Sequence, residues 1–214
     1  FIMNLYLSYL FIFFWSSAFI SGQFIVQSAS PFAALCFRFC IVSAFFLILS
    51  IILKERIRIN LNLIFQAMIT GILFHGFYLG GVFFSISIGM PTGIAALIVT
   101  LQPVLTNALS GPILGEKVTI KQWTGVLLGF IGATLVLGLD VGSDIPLLGL
   151  VATIIALIAI TTSTIWQKKL SNNLSLPVNN FYQAVGGCLF HILIIIIFAE
   201  PYIDFSNTFL IAMS

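Results

Sequence analysis

Apolar runs long enough to cross a bilayer recur along this chain, cut by charges, Pro/Gly pairs and polar clusters. A hydrocarbon core of about 30 Å takes about 20 residues of helix. That rule predicts spans at 4–22, 32–53, 62–86, 92–114, 121–139, 147–167 and 176–198, with an eighth apolar segment starting near Thr208 and ending with the chain at Ser214. The stretch from Ile59 to Gly115 carries no charge and is too long for one span; Gly89-Met90-Pro91 supplies the turn that divides it. The first residues lack the basic start and small-residue cleavage site of a signal peptide, so they read as a first span. The pattern predicts an all-α membrane protein, a polytopic helical bundle of about seven full transmembrane helices plus the start of an eighth.

Composition agrees with this pattern. Of 214 residues, 60% are hydrophobic and 7% are charged, against roughly 25% charged in soluble domains. A soluble fold could not hide so many apolar side chains, so lipid must solvate much of the surface. The net charge of +2 and the lack of a basic patch with interleaved aromatics exclude a nucleic-acid partner. Lys54, Glu55, Arg56 and Arg58 fall between spans two and three, Glu116, Lys117 and Lys121 between four and five, and Lys168 and Lys169 between six and seven. The alternate loops hold Asp140 and Asp144, then Glu200 and Asp204, and no cation. Every Lys and Arg except Arg38 therefore lies on one side, which predicts a cytoplasmic N-terminus in a multi-pass protein of the bacterial inner (cell) membrane.

A faint internal repeat runs from Trp15 through Pro31 to Arg38 and again from Thr161 through Pro177 to Gln183. A repeat unit with an odd number of spans must enter the membrane from opposite sides in its two copies, the inverted arrangement of many transporters.

Several motifs carry a family resemblance. Span one holds Trp15-Ser16-Ser17-Ala18-Phe19; Pro31 and then Phe37-Arg38-Phe39 open span two. Span four reads Ala95-Ala96-Leu97, Gln102-Pro103 and finally Leu114-Gly115-Glu116-Lys117; span five follows as Gln122-Trp123-Thr124-Gly125, with Gly129 and Gly132. In this order the chain resembles the EamA-type transporters of the drug/metabolite transporter superfamily, with Ser16 where the family usually has Gly. The resemblance implies a ten-helix inverted-repeat transporter fold in two five-helix halves. Residues 1–140 would form the first half and 141–214 an incomplete second, so the chain reads as truncated at its C-terminus.

Arg38 is the one cation inside a predicted span. It lies seven residues past Pro31, about 10 Å below the outer surface, where an Arg costs about 2.5–3.5 kcal/mol. It reads either as a cavity cation for an anionic group such as a substrate carboxylate, or as a structural Arg that caps carbonyls or snorkels outward. Pro103 removes a mid-span hydrogen bond and frees the carbonyl of Val99; with Gln102 it makes a candidate cavity wall, or a packing kink. Trp15, His75, Tyr78, Trp166 and Gln183 are further candidates for a substrate cavity, each also readable as packing or as a link between helices. Glu116 reads as a gate or as an ordinary loop carboxylate. The pairs Gly76/Gly80 and Gly125/Gly129 read as helix-packing devices. His191 and the cysteines Cys36, Cys40 and Cys188 read as packing residues in apolar runs.

No acid lies inside a predicted span, and no metal-ligand spacing, phosphate loop or catalytic set is present. The expectation is a non-enzyme without metal or cofactor. Facilitated diffusion or exchange fits the visible residues better than proton coupling through a membrane carboxylate. The reading is a secondary transporter, exporter or facilitator, of small organic metabolites such as amino acids. The alternative is a non-transporting membrane scaffold or inactive truncated copy. Its partners would be a small-molecule substrate and the lipid bilayer, with monomer and homodimer both open.

Overall fold

The computed structural model describes residues 2–115, 119–137, 145–170, 174–198 and 201–213. Among these, helices follow at almost every expected span. They are α1 (Ile2–Ser28), α2 (Pro31–Ile52), α3 (Leu61–Ser87), α4 (Thr92–Val99), α5 (Gln102–Leu114), α6 (Ile120–Leu137), α7 (Leu147–Leu170), α8 (Leu176–Phe198) and the short α9 (Asn207–Met213). Among the described residues, five stretches are long and apolar enough to cross a membrane: Pro31–Ile52, Leu61–Ser87, Thr92–Gly111, Leu147–Leu170 and Leu176–Phe198.

Local chemistry sets the ends. Pro31 opens α2, where its fixed φ suits the first turn and its missing N–H costs nothing. Asn60 caps α3 by accepting the Asn62 N–H at 2.9 Å. Gly115 closes α5 at φ 70°, a left-handed position that a side chain would disfavour. Lys168 and Lys169 stand in the last turn of α7, against the negative end of its dipole.

The fourth expected span is two helices rather than one. Pro103 cannot donate to Val99, so the chain tightens before it: Leu101 N–H bonds to Ile98 three residues back at 3.1 Å, and α5 restarts at Gln102. Thr100 Oγ1 donates to the Leu97 carbonyl at 2.6 Å across the break.

The bundle is centred on α8, which packs most extensively on α2 and then on α3; α3 in turn packs on α7. Close backbone approach makes the α3–α8 crossing. A Cβ on Gly71 would collide with the backbone of Gln183, and one on Gly186 with the backbone of Met68. Such small residues provide helix contact in lipid, where apolar side chains gain nothing by meeting each other. Ser163 Oγ adds a polar tie by donating to the Thr70 carbonyl at 3.0 Å. Outward faces carry Phe45, Ile48, Leu193 and Ile196, all more than half exposed, as a lipid-facing surface requires.

Helix α6 has α4 and α5 as its main neighbours. Here the glycine expectation divides. Gly76 lies under the ring of Phe190, and Gly80 against His191 and Phe32. Gly125 and Gly129 meet nothing within 4 Å among the described residues, so close packing at that pair is not seen. Their spacing presents a smooth helix face, but no described helix comes to it.

Candidate functional site

A cavity of about 300 Å³ opens between α1, α2 and α3, with Asn180 of α8 also in its lining. Its walls are aromatic and apolar. Trp15 and Tyr78 stack with centroids 6.3 Å apart and planes 11° from parallel, and Phe74 meets Tyr78 edge-on at 5.4 Å. The aliphatic wall includes Val42, Leu79 and Val82. Among the described residues, the charged lining group is Arg38, half-buried, and no carboxylate lines the space.

The backbone of α3 helps to shape this site. From Ile72 to Leu79 the helix widens into a π-helical segment carrying both His75 and Tyr78. Such segments are rare and recur at functional sites because they turn side chains out of the ordinary helical register. His191 of α8 holds the segment: its Nε2–H donates to the carbonyl of His75 at 3.1 Å. A carbonyl can only accept, so Nε2 carries the proton. The ring of Phe39 lies 4.3 Å from that of His75 and stacks on His191 at 5.9 Å and 10°. The Nδ1 atoms of both histidines are buried without a hydrogen-bond partner among the described residues.

The structure gathers four of the expected residues, Trp15, Arg38, His75 and Tyr78, on this one cavity. The other candidates lie elsewhere. Gln102 ties α5 to α7 by donating Nε2–H to Thr164 Oγ1 at 3.3 Å, and also to Thr106 at 3.1 Å. Pro103 is exposed at the start of α5. Trp166 lines a separate shallow depression with Leu109 and Ile113. Gln183 is buried at the α3–α8 crossing, where its Oε1 accepts from Gln167 at 3.3 Å. Glu116 lies outside the described residues.

The sequence gives no sign that Phe74 lines a site, because it looks like an ordinary apolar position, nor Asn180, which stands near a helix start; Phe39 stands in the Phe37-Arg38-Phe39 motif but not among the cavity candidates. His191 carried a signal, a lone His in an apolar run, but its partner is a backbone carbonyl 116 residues away. The cysteines read in the sequence as packing residues, and in the structure Cys36, Cys40 and Cys188 meet with all three sulfurs within 4.8 Å.

Residues 3–138 match the EamA-like transporter family. The chain is similar to an uncharacterized transporter of Archaeoglobus fulgidus, 31% identical over 126 residues that make up 58% of this chain and 43% of that protein. It is also similar to a probable amino-acid metabolite efflux pump of Salmonella typhimurium, 29% identical over 96 residues, 44% of this chain and 32% of the pump. The chain thus spans under half the length of these curated relatives. A solved crystal structure superposes with a TM-score of 0.71 at 17% identity, covering 92% of this chain and 74% of its own, a likeness of fold alone.

Proposed function

Because the chain belongs to the EamA-like transporter family, we propose that it forms the substrate-binding part of a secondary transporter for small organic metabolites bearing a carboxylate, such as amino acids. The observation that carries this reading is the cavity itself, which among the described residues has one guanidinium, no acid, and a stacked aromatic wall. Arg38 meets the carboxylate, and the apolar and aromatic walls take the substrate's body. The name of the Salmonella typhimurium relative supports the amino-acid class and an outward direction. Exporter or facilitator action fits a site whose lining, among the described residues, includes no carboxylate to carry a proton.

The same proposal includes a ten-helix inverted-repeat protein of the inner membrane with a cytoplasmic N-terminus. Residues 1–140 form its first repeat and 141–214 part of its second. The charge alternation between loops supports the orientation, and the extent of the family match supports the division.

Counterflow in proteoliposomes tests the reading. A panel of labelled amino acids and related carboxylates is compared with amines of the same carbon skeleton that lack the carboxylate. Saturable flux of the carboxylates, with the amines about tenfold weaker or worse, is expected from loss of a charge-assisted contact. No flux from folded protein across the panel would leave the scaffold or inactive-copy reading instead.

Tyr78 supplies a narrower test. Tyr78→Phe keeps the ring stacked on Trp15, so flux should stay within about threefold of the unmodified protein, whereas Tyr78→Ala removes the wall and should raise KM about tenfold. Equal loss in both variants would mean that the hydroxyl, not the ring, contacts substrate.

A further inference from the structure

Away from the cavity, α2 and α8 bring three thiols together. Cys36 and Cys40 stand four residues apart and share one flank of α2; Arg38, on the cavity wall, lies about half a turn round the helix from them. Cys188 reaches this flank from α8. Its sulfur is 3.3 Å from that of Cys40 and 3.9 Å from that of Cys36, and all three are free thiols. Trivalent arsenic keeps a lone pair, so its three ligands form the base of a pyramid; with bonds to sulfur of about 2.3 Å, as for other thiophilic centres, the sulfurs stand roughly 3.4 Å apart. The observed spacing is close to this, so little movement is needed to bind.

We propose that Cys36, Cys40 and Cys188 form a three-sulfur site for a trivalent thiophilic metalloid of the arsenite class, which on binding ties α2 to α8. Charge selects the class. Three thiolates around a divalent ion leave a net negative charge in an apolar bundle, which is costly. Uncharged arsenous acid exchanges three hydroxyls for three thiols. Three As–O and three S–H bonds break, three As–S and three O–H bonds form, and three waters leave. Arsenic stays trivalent, no electron moves, and the product is neutral. Cys40 is exposed and gives an uncharged ligand its approach, while Cys188 is buried and completes the site.

The test uses the protein in lipid nanodiscs under a phosphine reductant, with arsenite as the probe. The expected result has four parts: a mass gain of one arsenic less three hydrogens, three sulfur neighbours by X-ray absorption, protection of all three thiols from maleimide, and an affinity about tenfold or more lower in each of Cys36→Ser, Cys40→Ser and Cys188→Ser. Two sulfur neighbours, unprotected thiols, or unchanged affinity in a folded serine variant would overturn the site. Should a serine variant fail to fold, the sulfur count and thiol protection of the unmodified protein decide alone. None of these readouts depends on transport.

Discussion

Arg38→Ala is expected to cut saturable carboxylate flux by about 10- to 100-fold while leaving the yield of folded protein unchanged. A hydrogen bond to a charged group contributes about 1.5–3 kcal/mol, and each 1.4 kcal/mol is a tenfold change in affinity. Folded yield should hold because the substitution removes a half-buried cation from an apolar bundle and strips no carboxylate among the described residues of its partner: none of these lines that cavity. Arg38→Lys keeps the charge but loses the planar fork, so it should retain part of the flux, with the loss mainly in KM. Counterflow of a labelled amino acid, paired with size-exclusion profiles of both variants, makes the measurement. If both variants lose folded protein equally, Arg38 is a structural cation capping carbonyls and the cavity binds its substrate by other groups.

Gly71→Ala is expected to destabilise the bundle by about 1–3 kcal/mol or more, the cost of overpacking a filled contact. The added methyl would collide with the backbone of Gln183, which cannot rotate away as a side chain can. Helices α3 and α8 would have to separate. That would loosen the Ser163–Thr70 tie and the hold of His191 on the π-helical segment, and with it the cavity wall at His75 and Tyr78. Gly129→Ala is the matched control. It meets nothing within 4 Å among the described residues, and replacing a helical Gly with Ala favours the helix by about 0.5–1 kcal/mol. Heating both variants in detergent and following the monodisperse fraction should show Gly71→Ala lost first and Gly129→Ala at or above the unmodified protein. Equal melting of the two would mean that α3 and α8 are not in backbone contact in the membrane.

These two glycines show where reading a sequence stops. The Gly125/Gly129 spacing is a recognised packing signal, yet no described helix meets it; Gly71 has no glycine four residues away, only Ala67, yet it sits at the tightest crossing. Spacing reports which residues share a face of one helix, and it is silent about which helix arrives at that face. Gln102 and Gln183 differ from the cavity residues for the same reason. All are polar groups in apolar runs, but Gln102 reaches Thr164 and the Gln183 Oε1 accepts from Gln167, so these contacts join helices instead of lining the cavity.

The helical spans were largely legible because the bilayer acts on local composition: a backbone in lipid must satisfy its own hydrogen bonds, and only a helix of about 20 apolar residues does so within one segment. Thus the run expected at 62–86 is the helix Leu61–Ser87, and that at 176–198 is Leu176–Phe198. The motifs from Trp15 to Gly132 likewise sufficed to place the chain in its family. Tertiary structure alone decided which polar groups meet. Arg38 reaches the same space as Trp15 and Tyr78 through the rotation of three helices about their axes, aided by a π-helical segment that no residue pattern announced. Cys188 joins Cys36 across 152 residues because small residues let α8 settle closely into the bundle. Helix rotation and approach depend on the summed packing of every neighbour, a quantity that no single stretch of sequence contains.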